Sequence, residues 1–319
     1  MEVFRYNAFL LPRMRNVTKV MITLLCTVSL AGCGGFAERI AVSLFYQKAV
    51  LPQDQVHKDL SYWAGPGADP RKHRLDLYVS DDSGWPVLIF VHGGNWKSGD
   101  KGLQFGDVDP YGNIGRFYAG RGIGVAIVNY RLQPAVTWYE QVKDIARALA
   151  WVYRHAADYG GNPRAIFISG HSSGAQLAVR TILDQELLQE LGLSSRSVCG
   201  VIPVSGAPFD LADEKTDSSR FEKHLRAGHA GERWKHEASS VSLVTRSTPP
   251  FLLLHGRWEP KGVKRQNQLM HQALTAAGVQ SRLVVTPWEG HSLMVAALSR
   301  PKKMASTAIL DFIRGTRCP

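Results

Sequence analysis

The sequence of 319 residues is poor in cysteine, in clustered charge and in long apolar stretches, and each shortage excludes a class of protein. Four cysteines are too few for a small scaffold held together by disulfide bonds. Lysine and arginine outnumber aspartate and glutamate by 38 to 27, but they form no basic run and no aromatic-rich basic motif, which argues against nucleic-acid binding. Hydrophobic residues make up 45% of the chain and supply a large core, which excludes wholesale disorder. We therefore expect a compact globular protein.

The amino terminus has the pattern of an export signal. Arg13, Arg15 and Lys19 precede a mostly apolar run over residues 20–30. A positive segment followed by an apolar core of this length is typical of a signal peptide. A helix that crosses a bilayer needs about 20 apolar residues, so the run is too short to act as a permanent anchor. The pattern predicts export rather than a membrane span.

Residues 30–33, with the sequence Leu-Ala-Gly-Cys, resemble the lipobox of bacterial lipoproteins. The resemblance implies a signal peptide of residues 1–32, a lipid anchor on Cys33 and attachment to a membrane of the bacterial cell envelope. Gly34, rather than aspartate, follows the cysteine, and this resembles the class that resides in the outer membrane, here on its periplasmic face. An ordinary secretory signal is the alternative, and Met14 is a second candidate start of the chain.

Apolar runs along the rest of the chain predict a series of strands. Leu75, Leu77 and Val79 alternate with Asp76, Tyr78 and Ser80, which favours a strand with one covered face and one solvated face. The later runs are nearly continuous, as parallel strands buried on both faces require. These runs are residues 86–91, 125–128, 165–168, 201–204, 251–254 and 283–285.

Helical patterns lie between the predicted strands. The first has an apolar face made of Trp138, Val142, Ile145, Leu149 and Val152. Gly160 and Pro163 mark its end, and two further helices are predicted around residues 270–278 and 309–313. Alternating strands and helices predict an α/β fold with a doubly wound, mostly parallel sheet. In such folds ligands bind at the carboxyl ends of the strands.

The predicted organisation has three parts. Residues 1–32 are the signal peptide, and residues 33–59 are a lipidated segment with an amphipathic linker helix over 36–50. Residues 60–319 form the α/β domain. A polar stretch over about 207–247 interrupts the alternation and predicts a small cap or lid.

The sequence Gly-His-Ser-Ser-Gly at residues 170–174 stands between a buried strand and a helix. This setting is typical of a nucleophile elbow, in which a sharp strand-to-helix turn raises a serine above the sheet. Glycine is required on both sides because the neighbouring backbone comes too close for a side chain. Ser172 is therefore the predicted nucleophile, and the backbone N–H of Ser173 is a predicted donor to an oxyanion.

A second glycine motif predicts the other half of the oxyanion hole. Residues 92–96, with the sequence His-Gly-Gly-Asn-Trp, follow an earlier strand. Glycines allow backbone N–H groups to point into a crevice without obstruction. We expect Gly93, Gly94 and Asn95 to form this side of the hole, with the N–H groups of Gly94 and Asn95 as the donors.

His291 lies in a loop between the last strand and the last helices, and it is the predicted general base. The order serine, acid, histidine is that of α/β-hydrolases. Glu259, four residues after His255 at the end of a strand, is the predicted acid that orients the imidazole. Asp210, which follows an earlier strand, is the competing acid. Glu289 is disfavoured because it lies only two residues from His291.

Together these motifs resemble the α/β-hydrolase superfamily, in the esterase and lipase branch near hormone-sensitive lipase and kynurenine formamidase-like carboxylesterases. The resemblance runs from about Leu60 to Arg314. It departs from the family at Glu259 and Asn129, where aspartate is common. Other similar segments are residues 74–78, 129–132 and 159–163.

The expected function is that of a carboxylesterase with a catalytic triad of Ser172, Glu259 and His291. Such a hydrolase cleaves a small acyl ester through an acyl-enzyme and needs neither a metal nor an organic cofactor. An amidase or peptidase with the same triad is one alternative, and a non-catalytic envelope binding module of the same fold is another.

The cap histidines and the last two cysteines are the remaining residues with a predicted role. His224, His229 and His236 lack the spacing of a zinc site and are predicted to be solvated residues of the cap rather than metal ligands.

Cys199 and Cys318 are free to form a disulfide in an oxidising compartment, or to stay as one buried thiol and one loose tail. Both outcomes are open at the level of the sequence.

Overall fold

A computed structural model describes most of the chain. The predicted signal peptide, Cys33 and His229 lie outside the described residues, so the predictions made for them stay predictions. The described ranges are residues 34–217, 219–226 and 233–319.

Chain contacts divide the protein after Phe45 into two units. In the first unit, helix α1 spans Gly34–Phe45. The linker helix predicted over 36–50 is therefore misplaced at its end, because the residues after Phe45 are not helical and belong to the second unit.

The second unit, Tyr46–Pro319, contains one eight-stranded sheet. Its strands are β1 (Val56–Ser61), β2 (Arg74–Tyr78), β3 (Trp85–Val91), β4 (Gly124–Val128), β5 (Gly161–His171), β6 (Gly200–Val204), β7 (Phe251–Gly256) and β8 (Ser281–Thr286). Across the sheet the order is β1-β2-β4-β3-β5-β6-β7-β8. β1 and β2 pair in antiparallel fashion, whereas the strands from β4 through β8 in that order are all parallel. The predicted mostly parallel sheet is confirmed.

Helices cover both faces of this sheet. They are α2 (Pro110–Ala119), α3 (Trp138–His155), α4 (Ser173–Leu183), α5 (Gln185–Glu190), α6 (Ser219–Leu225), α7 (Trp234–Ala238), α8 (Lys261–Ala276), α9 (His291–Leu298) and α10 (Met304–Gly315). Apolar residues of α3, α4 and α8 form the core on one face, and those of α2, α9 and α10 form the core on the other. The doubly wound arrangement is thus confirmed. Within the described part of the chain, no helix combines the length and apolar character needed to cross a membrane.

Helix α3 shows how the local sequence fixes an element. The Thr137 hydroxyl accepts the N–H of Glu140 at 3.2 Å and so satisfies one donor of the first helical turn. The predicted apolar face is buried along its whole length, from Trp138 to Val152. The chain leaves the helix through a turn that ends at Gly160, whose φ of 88° suits glycine.

Strand β2 differs from its prediction, because both of its faces are covered. Tyr78 is buried against α2, where a Cβ on Gly115 would lie 2.3 Å from the Tyr78 ring. Asp76 is also buried, and its carboxylate accepts the ammonium groups of Lys58 at 2.8 Å and Lys101 at 2.6 Å. The alternation in β2 predicts a solvated face, but Asp76 on that face is buried and ion-paired.

The compact body begins before residue 60, the predicted domain boundary. β1 starts at Val56 and pairs with β2. Further upstream, the Ala49 N–H donates to the Asn113 side chain of α2 at 2.7 Å. The boundary was placed too late because β1 has no continuous apolar run.

A disulfide joins Cys199, just before β6, to Cys318, close to the end of the chain. The two cysteines are 119 residues apart in the sequence, so the bond closes a loop that contains much of the second half of the body. The question that the sequence left open is answered in favour of pairing.

Candidate active site

The predicted nucleophile lies at a strained turn between β5 and α4. Ser172 has φ 56° and ψ −123°, which is a left-handed conformation that non-glycine residues rarely adopt. Its N–H donates to the Val204 carbonyl at the end of β6 at 3.0 Å. The turn therefore fixes Ser172 at the carboxyl edge of the parallel strands, as an elbow requires.

Glycines flank the serine because neighbouring backbone leaves no space. A Cβ on Gly170 would lie 2.6 Å from the Gly174 carbonyl carbon and oxygen, and a Cβ on Gly174 would lie 2.3 Å from the His92 carbonyl oxygen. Both distances are far below any normal contact. The steric reason given from the sequence for these glycines is confirmed.

The three residues of the predicted triad meet at this edge of the sheet. His291 Nε2 lies 2.9 Å from Ser172 Oγ, and His291 Nδ1 lies 2.8 Å from Glu259 Oε2. His291 begins α9 after β8, and Glu259 follows β7. Both distances are those of hydrogen bonds, so the geometry links the hydroxyl, the imidazole and the carboxylate in one hydrogen-bonded chain.

Glu259 is buried but remains an acceptor. Burial alone would raise the pKa of its carboxyl, but the positive charge and hydrogen bond of His291 lower it. A hydrogen bond from Ser205, whose Oγ lies 2.5 Å from Glu259 Oε1, contributes in the same direction. The pKa of Glu259 is therefore below its ordinary value, and the carboxylate stays ionised where it faces the imidazole.

The competing acids are engaged elsewhere. The Asp210 carboxylate accepts the N–H of Ala212 at 3.0 Å and caps a turn at the start of the cap. Glu289 accepts the N–H of the adjacent Trp288 at 3.3 Å. His291 Nδ1 is instead held by Glu259.

The loop after β3 lies against the nucleophile, and we call residues 92–96 the oxyanion loop. A Cβ on Gly93 would be 3.3 Å from the Ser172 Cβ, so any side chain here would crowd the serine. Gly94 has φ 132° and Asn95 has φ 53°. Among the described residues, the N–H groups of Gly94 and Asn95 have no backbone or side-chain acceptor, which leaves them available to a ligand.

Gly93 differs from the other two residues of the predicted hole. Its N–H donates to the Tyr111 hydroxyl of α2 at 3.3 Å and is therefore occupied. The role of Gly93 is to let the oxyanion loop lie close to Ser172, and it offers no free N–H donor. Ser173 stands at the first position of α4, where a helical N–H has no intrahelical acceptor, so the donor predicted there is geometrically available.

Two more histidines next to the site are held in the neutral form. Burial lowers the pKa of His92 to about 4. Burial, together with the charge of His291, lowers the pKa of His171 to about 3. His171 Nε2 lies 2.9 Å from the backbone carbonyl of His291, which can only accept, so the ring donates and anchors the backbone of the predicted base.

The sequence did not predict the environment of His224. This cap residue is buried rather than solvated, and it stacks on Trp96 of the oxyanion loop with ring centroids 5.4 Å apart. His236, by contrast, is exposed as expected. The prediction was wrong for His224 because α6 packs against the oxyanion loop. The spacing of the cap histidines does not indicate that contact.

Asn129, one of the two departures from the family pattern, has a physical explanation. Its amide donates to the Asp100 carboxylate at 2.9 Å and its oxygen accepts the N–H of Lys101 at 2.6 Å. An aspartate in this position would place two negative groups in contact. The asparagine is therefore matched to Asp100, beside the loop that carries the predicted oxyanion donors.

Ser205 and His171 were missed as site residues. Ser205 directly follows the apolar run of β6, and a polar residue at the carboxyl end of a buried strand was a usable signal. His171 occupies the variable position between Gly170 and Ser172, where the motif itself gives no information. Only the fold shows that its ring reaches His291.

With this geometry described, the chain can be compared with known proteins. Residues 75–274 match the BD-FAE protein family. The chain belongs to the BD-FAE family. The matched segment of this BD-FAE member includes the oxyanion loop, Ser172 and Glu259, and it ends before His291.

Curated relatives of this BD-FAE member are esterases by name. The chain is 32% identical over 269 residues to "Esterase LipQ" of Mycobacterium tuberculosis, with 80% of this chain and 61% of that protein covered. It is 27% identical over 277 residues to "Isoprenylcysteine alpha-carbonyl methylesterase ICME" of Arabidopsis thaliana, with 81% and 60% covered. The chain thus spans about three fifths of the length of these two relatives.

Solved structures share the fold. Esterase B from Lactobacillus Rhamnosis superposes with a TM-score of 0.67 at 22% identity and covers 94% of this chain and 95% of its own. A truncated carbohydrate esterase from gut microbiota gives a TM-score of 0.66 at 19% identity, with 83% and 98% covered. These likenesses establish the α/β-hydrolase fold.

Proposed function

We propose that the protein is a carboxylic ester hydrolase that uses Ser172 as nucleophile, His291 as general base and acid, and Glu259 as the group that orients the imidazole. The observation that carries the proposal is the pair of contacts of 2.9 Å and 2.8 Å that His291 makes with Ser172 and Glu259. The esterase names of the relatives support the ester as substrate.

Acylation follows from the positions of these atoms. Ser172 Oγ attacks the carbonyl carbon of the ester while its proton passes to His291 Nε2. The carbonyl oxygen becomes negative and receives the N–H groups of Gly94, Asn95 and Ser173. When the tetrahedral intermediate collapses, His291 returns the proton to the departing alcohol and the acyl group stays on Ser172.

Deacylation repeats the sequence with water. His291 Nε2 accepts a proton from water, which attacks the acyl carbon, and the same N–H groups hold the oxyanion. Collapse of this intermediate returns the proton to Ser172 and releases the carboxylic acid. Glu259 stays ionised throughout and stabilises the imidazolium at both stages.

Active-site labelling tests the proposal directly. Wild-type protein should hydrolyse p-nitrophenyl acyl esters and react covalently with a fluorophosphonate probe. The Ser172→Ala variant should lose both signals. Ser83→Ala, at an exposed serine far from Ser172 in the sequence, should keep both. Folded wild-type protein that is neither labelled nor active would contradict the proposal.

We also propose that the protein is exported and carries lipid on Cys33. The charged and apolar segments before the lipobox support export, and the Cys199–Cys318 disulfide is of a kind that persists in oxidising compartments. Radiolabelled palmitate should be incorporated into the full chain and lost in Cys33→Ala. Cys26→Ala, in the apolar part of the signal, is the matched control and should keep the label. Equal labelling of the two variants would contradict the assignment.

A further inference from the structure

A closed ring of contacts joins the cap to the oxyanion loop. His224, on α6 of the cap, is only 1% exposed. Its Nε2 lies 3.3 Å from Asn95 Nδ2, and its Nδ1 lies 3.0 Å from Gln133 Oε1. Gln133 donates from Nε2 to the His224 carbonyl at 2.9 Å and from its backbone N–H to the Trp96 carbonyl at 3.0 Å. The ring begins and ends on the oxyanion loop.

These partners determine which nitrogen of His224 carries the hydrogen. Because Gln133 Nε2 donates to a carbonyl, its Oε1 is the atom that faces Nδ1, and an amide oxygen can only accept. Nδ1 therefore carries the hydrogen, and the lone pair of Nε2 accepts from the Asn95 amide. The contact with Asn95 requires the neutral imidazole, since a proton on Nε2 would face a second donor.

The ring holds a strained segment. Asn95 and Trp96 have φ values of 53° and 61°, both left-handed. Such conformations cost about 1 to 3 kcal/mol each and persist only where surrounding contacts impose them. His224 supplies two of these contacts, a hydrogen bond to Asn95 and a stacked ring against Trp96 at an interplanar angle of 28°. The Trp96 indole also donates to Gln176 of α4 at 3.2 Å, which ties the same segment to the nucleophile helix.

We propose that His224 is a positioning residue for the oxyanion hole: by accepting the Asn95 amide, the cap holds the N–H groups of Gly94 and Asn95 in the orientation that binds the oxyanion. The inference rests on the proposed esterase function and extends it to the cap. The cap and the oxyanion hole are then joined by one set of contacts, so a change in the cap reaches the oxyanion donors. His224 itself touches no reacting atom.

The surroundings of the imidazole favour its neutral form. Within the described part of the chain, the charges that act on it are those of Lys97, which follows the oxyanion loop, and Lys223 of its own helix, and both are positive. Gln133, which packs against it from the segment after β4, is uncharged. Burial first, and then these two charges, lower the pKa of His224. Acidification should therefore release Asn95 by protonating Nε2.

Two amide substitutions separate the contacts that His224 makes. The side-chain amide of glutamine reaches the position of Nε2, so His224→Gln retains an acceptor for Asn95. The amide of asparagine reaches only the position of Nδ1, so His224→Asn retains a donor for Gln133 and leaves Asn95 without its partner. His236→Ala, at an exposed cap residue, is the control for general effects on the cap.

Steady-state kinetics should divide these variants. We expect kcat to fall about ten- to 100-fold in His224→Asn with KM changed less than threefold, because removal of an oxyanion donor costs about 100- to 1,000-fold and a loosened one less. His224→Gln should keep kcat within about threefold of wild type, and His236→Ala should be unchanged. Equal losses in the two amide variants, or a loss confined to His224→Gln, would show that the residue acts through Gln133 or cap packing and would overturn the proposal.

Hydrogen exchange provides a readout that needs no activity. Peptides that cover residues 93–97 should exchange faster in His224→Asn than in wild type, and His224→Gln should restore protection. In wild type, protection of this segment should weaken as the pH falls below the ordinary range of histidine, whereas in His224→Gln it should not. Unchanged exchange in His224→Asn would overturn the positioning inference. An inactive wild type with this exchange pattern intact would instead contradict only the proposed esterase function.

Discussion

The Ser205 hydroxyl donates to one oxygen of Glu259 at 2.5 Å, while the other oxygen of the same carboxylate receives His291 Nδ1 at 2.8 Å. Ser205 has φ 51°, and its N–H is held by the Leu254 carbonyl of β7 at 2.7 Å. The acid is thus oriented by a residue at the end of β6, one strand away from its own. Ser205 thus holds the carboxylate in the orientation from which it binds the imidazole.

We expect Ser205→Ala to lower kcat about tenfold, because a hydrogen bond to a charged group contributes about 1.5 kcal/mol or more. Loss of this donor also raises the pKa of Glu259, so the acidic loss of activity should begin at a higher pH. The pH profiles of kcat for wild type and variant measure both effects. An unchanged profile would show that Ser205 serves only the backbone.

Glu259→Gln should reduce kcat about 10³- to 10⁴-fold, since a neutral amide no longer holds the correct tautomer or stabilises the imidazolium. Asp210→Asn should change kcat by less than threefold, because its carboxylate caps a turn of the cap instead. Parallel ester assays on the two purified variants make the comparison. The reverse order of effects would transfer the acid to Asp210.

Stability should decline as the solution becomes acidic, because buried His92 and His171 resist protonation. Their folded-state pKa values of about 4 and about 3 lie below the ordinary value of about 6.5. Between these limits the unfolded chain binds protons that the folded chain does not, so unfolding becomes easier as the pH falls. Each histidine should cost about 2 kcal/mol between pH 7.5 and 5.

Urea unfolding at several pH values measures this dependence. His92→Gln should flatten the slope of stability against pH even if its stability at pH 7.5 is lower. His236→Gln, at an exposed histidine of the cap, is the control and should leave the slope unchanged. A slope that is identical in all three proteins would exclude these buried imidazoles as its source.

Cys318→Ser should lower the free energy of unfolding by about 2 to 5 kcal/mol, because the disulfide closes a loop of more than 100 residues. The triad lies on other strands, so kcat should stay within about twofold of wild type. Urea unfolding of the variant and of reduced wild type should give the same loss. A variant as stable as the oxidised protein would argue against a contribution from the bond.

Sequence predicted those parts of the fold and site in which local constraints are strong. Gly170, Ser172 and Gly174 stand within one turn, and sterics alone require the glycines. Buried parallel strands such as β3 and β6 are continuous apolar runs, and their carboxyl ends position the site. Glu259 and His291 could be placed because each follows such a strand.

Contacts between distant segments could not be predicted in the same way. Ser205 meets Glu259 across 54 residues, and Asn95 meets His224 across 129. Asp76 looked like a solvated position until the fold brought Lys101 to it. In each case the packing of whole elements determines the partner, and the type of residue alone does not predict it.

The cap leaves the sheet after β6 and returns at β7, two strands that pair side by side. Ser172 therefore precedes the cap in the chain, whereas Glu259 and His291 follow it. The sheet that sets the spacing of these three residues does not include the cap. Replacement of this insertion would keep the spacing of the triad but would remove the His224 contact with Asn95, so the oxyanion donors would have to be positioned by another contact.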